Sequence, residues 1–188
     1  EMSNLFKAVS EAGGDMAKVD ASAFPVLNML NTRYFIFPLQ GGKTMPIQNP
    51  YTLGNAWFVD KVQYVNNANE EIESLHKVMP AKVKPVAVSD SLRFVKLVAY
   101  EPNDLKYEVS SEKGGVVVFS EIYYPGWQAY IDGVEAPHGR ADYILRAMNV
   151  PAGKHTVEFK FDPKSLHTTE TIAFVALGLL AIDLACNR

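Results

Sequence analysis

The sequence predicts an α+β protein. A small mixed α/β N-terminal part packs on an antiparallel β-sandwich of jelly-roll type, and a C-terminal apolar helix follows. Three observations predict this class. From residue 92 onward, short extended runs alternate apolar and polar residues in period two. Turn dipeptides punctuate those runs at sandwich spacing. The tail Thr171–Cys186, TIAFVALGLLAIDLAC, is apolar except for Thr171 and Asp183. The expected divisions are residues 1–90 for the mixed part, 91–163 for the sandwich, and 164–188 for a hinge and apolar helix.

Composition is that of a folded domain. Of 188 residues, 48% are hydrophobic and 21% charged, outside the disordered range. A net charge of −3, with no Lys/Arg stripe interleaved with aromatics, excludes a nucleic-acid partner. Cys186 is the single cysteine, so no intrachain disulfide can form. The chain opens on Glu1 without a basic and apolar leader, and reads as an excised fragment.

Residues 1–31 read as helical. Ser3 is placed to cap a first segment carrying Leu5, Phe6 and Val9, which Gly13-Gly14 ends. Pro25 suits the first turn of a second helix through Val26, Leu27, Met29 and Leu30. The run Tyr34–Phe37 is extended, and residues 38–56, rich in Gly, Pro, Asn and Gln, read as a long loop. Trp57–Val65 is β-rich. Asn67-Ala-Asn-Glu70 has the capping-box form and opens a helix with Ile72, Leu75 and Met79 at helical spacing, closed by Pro80. Val83–Val88 reads as an edge strand interrupted by Pro85.

The β-rich half alternates cleanly. Leu105, Tyr107 and Val109 share one face, opposite Lys106, Glu108 and Ser110. Val157, Phe159 and Phe161 share another, opposite Thr156, Glu158 and Lys160. These are half-buried antiparallel strands. Asp132-Gly133 and Pro151-Ala-Gly153 mark turns. In the tail, Thr168 is placed as a cap. Sixteen helical residues over 171–186 span roughly 24 Å, short of the roughly 30 Å hydrocarbon core.

Catalytic and metal signals are weak. Gly42-Lys43-Thr44 has the ending of a phosphate-binding loop, but its required glycine falls on Phe37. His76, His138, His155 and His167 lack metal-ligand spacing to one another or to Cys186. No metal or other cofactor is expected. Glu70, Glu71 and Glu73 read as a solvated first turn that offsets the helix dipole. Glu121 and Asp132 are the best carboxylates for acid–base work, yet nothing local links them, and Asp132 is explained by its turn.

The aromatic set Tyr123, Tyr124, Trp127, Tyr130 and Tyr143 has more functional content. Sugars stack on aromatic faces. Trp127 reads first as a core side chain sharing a face with Ala129 and Ile131. Tyr123 and Tyr124, beside Pro125-Gly126, are equally compatible with packing and with binding. Arg140 and Arg146 suit a carboxylate or phosphate, or a neighbouring acid. The candidate binding residues are Tyr123, Tyr124, Trp127 and Arg140, and no catalytic residue is assigned.

The motifs SEIYYPGWQAYIDG and VPAGKHTVEFKFDP resemble the extracytoplasmic C-terminal domain of YfhO-like bacterial membrane proteins. LNTRYFI and GNAWFVDKV extend the resemblance over most of residues 27–163. It implies a large multi-spanning protein grouped with lipid-linked-sugar glycosyltransferases, with a membrane helix directly after the domain. The catalytic acid would lie in an outer loop of the membrane part. The domain itself would be non-catalytic and would assist by engaging substrate or acceptor. Its partners would be the membrane-embedded remainder of its own chain and a glycan or lipid-linked sugar. It would sit on the periplasmic or cell-surface side of the cytoplasmic membrane. Read without the resemblance, the residues also fit a free-standing carbohydrate-binding module or a structural domain without a ligand.

Overall fold

The structure is a computed structural model that describes residues 2–78 and 93–186. The expected strand Val83–Val88, the helix stop at Met79-Pro80 and the side chain of His76 lie outside the described residues. Helix α1 (Met2–Glu11) buries Leu5 and Val9. It begins at Met2, so Ser3 lies inside it rather than capping it. Gly13 and Gly14 end it with positive φ, and Gly14 N–H closes back on the Val9 carbonyl at 2.9 Å. That αL closure is what glycine permits without a Cβ penalty. Helix α2 (Pro25–Met29) opens on its proline.

Strand β1 (Tyr34–Pro38) pairs with β2 (Thr44–Gln48). This corrects the long loop expected over 38–56. Pro46 hid the strand, yet a two-stranded ribbon is all edge and accommodates a proline opposite Ile36. The residues resembling a phosphate-binding loop lie at the connection of this hairpin, where Gly41 and Gly42 take positive φ. Leu5, Val9, Met16, Val19, Phe24 and Phe35 form the core of this N-terminal part.

Strands β3 (Ala56–Val59), β4 (Phe94–Glu101), β5 (Asp104–Ser111), β6 (Gly115–Ile122), β7 (Trp127–Ile131), β8 (Val134–Ala136), β9 (Gly139–Ala141), β10 (Leu145–Val150) and β11 (Gly153–Phe161) build the sandwich. One sheet runs β4-β5-β11-β7-β8 and the other β3-β6-β10-β9. All of their pairings are antiparallel. Residues 56–59, from the segment read as the N-terminal part, therefore supply a strand to the second sheet.

Between the sheets lie Leu105, Tyr107, Val109, Val117, Phe119, Ala129, Met148, Val150, Val157 and Phe159. Five of the six residues expected to point inward from β5 and β11 do so. Phe161, the sixth, ends its strand half-buried and packs instead on Trp127 and Tyr124. On the outer face, Glu158 bridges Lys106 at 2.8 Å and Lys160 at 3.2 Å, as the polar half of the alternation requires.

The cap is made at the start of helix α3 (Ala68–Val78) in a variant of the box: Glu70 N–H donates to Asn67 Oδ1 at 3.0 Å, while the Glu70 carboxylate accepts from Asn67 Nδ2 and from the Asn66 N–H, each at 3.0 Å. Helices α2 and α3 cover the outer face of the second sheet, where Met29 and Leu75 meet Val118, Trp57 and Leu145. The Ser120 hydroxyl donates to the Met29 carbonyl at 2.7 Å. Glu71 corrects the solvated-face reading. It accepts from Arg140 at 2.9 Å and from the Tyr143 N–H at 2.8 Å, and so ties α3 to the sandwich.

Helix α4 (Lys164–Cys186) starts well before the expected 171 and has 23 residues. At 1.5 Å per residue it is about 34 Å long, enough to cross a bilayer. Thr168 lies within it rather than at its start. Thr171 folds its hydroxyl back onto the His167 carbonyl at 2.7 Å, and Thr169 does likewise onto Ser165 at 3.0 Å. Ile172, Phe174, Val175, Leu177, Leu179, Leu180 and Ile182 are all exposed around it. The segment Ser165–Ile182 has the length and composition of a membrane span.

Candidate functional site

Of the expected aromatic residues, Tyr123, Tyr124 and Trp127 gather at the end of the sandwich from which α4 leaves, while Tyr130 lies on the outer face of β7 with Lys160 5.5 Å over its ring and Tyr143 stands beside Arg140. Strand β6 finishes at Ile122, and the Tyr123 N–H then donates to the Ile144 carbonyl at 2.6 Å. The chain turns through Pro125-Gly126 and re-enters the opposite sheet at Trp127. Gly126 has φ +103, and a Cβ there would stand 2.9 Å from Pro163 and 3.0 Å from the Phe161 ring. Its carbonyl accepts from the Asp162 N–H at 2.9 Å. Glycine is therefore required both for conformation and for space.

Trp127 is opposite Phe161 in the β7–β11 register, with ring centroids 5.4 Å apart. Tyr124 lies 6.3 Å from the same ring. Tyr123 packs at 5.6 Å against His138, which in turn meets Phe159 edge-on. Ala129 is buried, while Trp127 and Ile131 are partly buried against the core, so the core reading of that face holds. Tyr124 keeps 60% of its surface exposed and Ile122 61%.

Beneath this loop lies a buried cation. Arg146 is 2% exposed. Its guanidinium carbon sits 3.9 Å from the Trp127 ring centroid and 5.1 Å from that of Phe159. Its Nε donates to the Ile122 carbonyl at 2.9 Å. Desolvated cation–π contact of this kind is worth about 2 kcal/mol.

The charge dominates its neighbours less than burial does. Burial pushes the Glu121 carboxyl up, and Arg146 partly offsets that. Burial first, and then Arg146, holds His138 below its ordinary value. Burial raises the Tyr107 phenol, with Glu121 adding to the effect. No spacing rule could place Arg146 there. In sequence it is one of two polar residues, with Asn149, in an otherwise apolar strand. Only the bulge between Leu145 and Arg146 and the facing sheet give it aromatic walls.

Arg140 is engaged at the edge of the same sheet. Besides its bond to Glu71, it lies 5.7 Å over the Tyr143 ring. The two carboxylates weighed for acid–base work part company. Glu121 is the penultimate residue of β6, near the loop, while Asp132 sits in the β7–β8 turn at the far end of β7. There Asp132 has φ 52 and Gly133 φ 81, the two-residue hairpin the sequence predicts. Among the described residues, no three His, Cys, Asp or Glu side chains are grouped to hold a metal.

Asp132 has a second task. It accepts from the Thr156 N–H at 2.8 Å and meets His155 Nδ1 at 2.6 Å. The hydrogen bond to Asp132 raises His155, and the same bond, with Thr156, lowers Asp132. The raised histidine contributes stability below its unfolded value of 6.5 and loses it as pH rises through the folded value. The lowered aspartate contributes above 3.8 and loses its share as pH falls. We expect the melting temperature to decline as pH rises above 6.5, and His155→Asn to flatten that decline. His138 acts with the opposite sign, costing stability on the acid side, so it cannot mimic the effect. Parallel melting profiles for both proteins would refute this assignment.

The fold and the site together define a class: an antiparallel sandwich fastened by a two-residue joint, Asp162-Pro163, to an exposed helix of membrane-spanning length. The model of the bacterial membrane protein YfhO family matches residues 83–173, just under half of the chain, and that segment is YfhO-like. The match runs through β4–β11 and into α4. The motifs LNTRYFI and GNAWFVDKV lie before it. No curated protein and no solved structure matches the chain.

Proposed function

We propose that this chain is the extracytoplasmic, non-catalytic domain of a multi-spanning membrane protein. In this reading it engages the substrate or acceptor of a glycosyltransferase that uses lipid-linked sugars, and the membrane-embedded remainder of its own chain carries the chemistry. One observation carries the reading. Within the family-matched segment, the exposed tyrosine loop 123–126 is braced against the residues that lead into α4. A tyrosine offers a flat apolar face and a polar tip, which suits an amphipathic sugar ligand. Proline and glycine fix the turn, so the rings are presented at little ordering cost. Trp127, with Arg146 behind it, forms a rigid floor.

The test is the double change Tyr123→Ala/Tyr124→Ala in the full-length protein, with sugar transfer to the cell-surface acceptor as readout. Transfer should fall about tenfold, the equivalent of ~1.4 kcal/mol of lost contact, at an unchanged melting temperature. Undiminished transfer overturns the reading. So does a large drop in melting temperature, which would make the rings packing residues.

A further inference from the structure

We infer that the loop Ile122–Gly126 rests in the lipid headgroup layer of the bilayer that α4 spans, so that this end of the sandwich is a membrane-contact surface. The inference rests on α4 crossing the membrane and not on the carbohydrate reading.

The covalent distance is short. Phe161 ends β11 and Ser165 opens the candidate span, and four residues reach at most about 14 Å. The candidate span opens at Ser165 itself, so the loop lies no farther than that reach outside the hydrocarbon, on the side where headgroups add several Å to the core.

The loop cannot swing away from the joint. The Asp162 N–H is bonded to the Gly126 carbonyl, and Pro163 and Phe161 fill the space above Gly126. The joint is stiffened further by the Leu166 N–H on the Pro163 carbonyl at 2.9 Å and by the contact of His167 with Asp162.

The surface presented there suits an interface. Ile122 and Tyr124 are more than half exposed, and Tyr100 is exposed on β4 beside the β4–β5 turn, whose Asn103 carbonyl accepts from the Phe161 N–H. Tyrosines with an apolar body and a polar tip concentrate at the membrane–water boundary. An exposed isoleucine and two exposed tyrosines beside a membrane entry gain burial there that water does not offer.

The experiment uses the 188-residue chain reconstituted in phosphatidylcholine/phosphatidylglycerol vesicles. In a Cys186→Ser background, single cysteines replace Ile122, Tyr124, Lys154 or Leu177, and each carries a fluorescent label. Lys154 stands about 24 Å from Phe161 along β11 and serves as the distant control. Headgroup-attached nitroxide should quench labels at 122 and 124 several-fold more than the label at 154. Acyl-chain nitroxide should quench the label at 177. Tyr124→Trp, which keeps an aromatic ring, should gain a headgroup-quenchable fluorescence component.

If the labels at 122 and 124 quench no more than the label at 154 while the label at 177 is in lipid, the contact surface is refuted. If the label at 177 escapes acyl-chain quenching, α4 does not span and the inference falls with it. Neither result bears on sugar transfer, which the tyrosine double variant reads separately.

Discussion

Phe159→Ala is expected to destabilise the sandwich by about 3–5 kcal/mol, the usual cost of deleting a fully enclosed aromatic ring. Phe159 is 0% exposed. It stands edge-on to Phe119 at 4.8 Å and to Tyr107 at 6.2 Å, and it also walls Arg146 and His138. Truncation therefore removes both sheets' shared contact and one face of the buried cation. A domain holding 5–15 kcal/mol in total would lose a large fraction of it. Urea midpoints of the chain in detergent micelles check this, with Phe161→Ala as the control. Phe161 ends the same strand half-buried, so its truncation should cost less than half as much. Equal costs would place the core elsewhere.

The alternation that identified Phe159 was legible because β5 and β11 each have one face under a sheet and one in water. Period two then encodes burial directly, and a one-residue slip would invert it. The Asn67–Glu70 box and the Asp132-Gly133 hairpin were legible because their partners lie within a few residues. What was not legible was long-range or context-bound. Strand β2 carries Pro46 and reads as loop until an edge partner makes the proline harmless. Glu71 reads as solvated because its partners Arg140 and Tyr143 come about seventy residues later. Helix α4 reads as starting at Thr171 because its first two turns are polar, and only the Asp162-Pro163 joint shows that the helix begins at Lys164. At the site, the tyrosines announced themselves by type, whereas the buried cation beneath them did not.

That cation supports the second large expectation. Arg146→Ala should destabilise the domain by about 3 kcal/mol. It strands the Ile122 carbonyl, worth about 1–3 kcal/mol, and forfeits the stacking on Trp127. Relief of a buried charge lacking a close carboxylate offsets part of the loss. Arg146→Met, which keeps the volume and drops the charge, should cost less than the alanine change. The pH dependence then isolates the electrostatic share. Burial holds the Glu121 carboxyl above its ordinary value of 4.5, and Arg146 acts against that shift. A raised carboxyl keeps its proton in the folded chain after the unfolded chain has released it, so stability falls as pH rises from 4.5 through the folded value. Without Arg146 the folded value climbs further. Arg146→Met should therefore show a decline that reaches to higher pH than the parent's, and adding Glu121→Gln should remove it. If the stability profiles of parent and Arg146→Met run parallel across that range, the guanidinium does not act on Glu121. The site would then be an aromatic cage for a cation and nothing more.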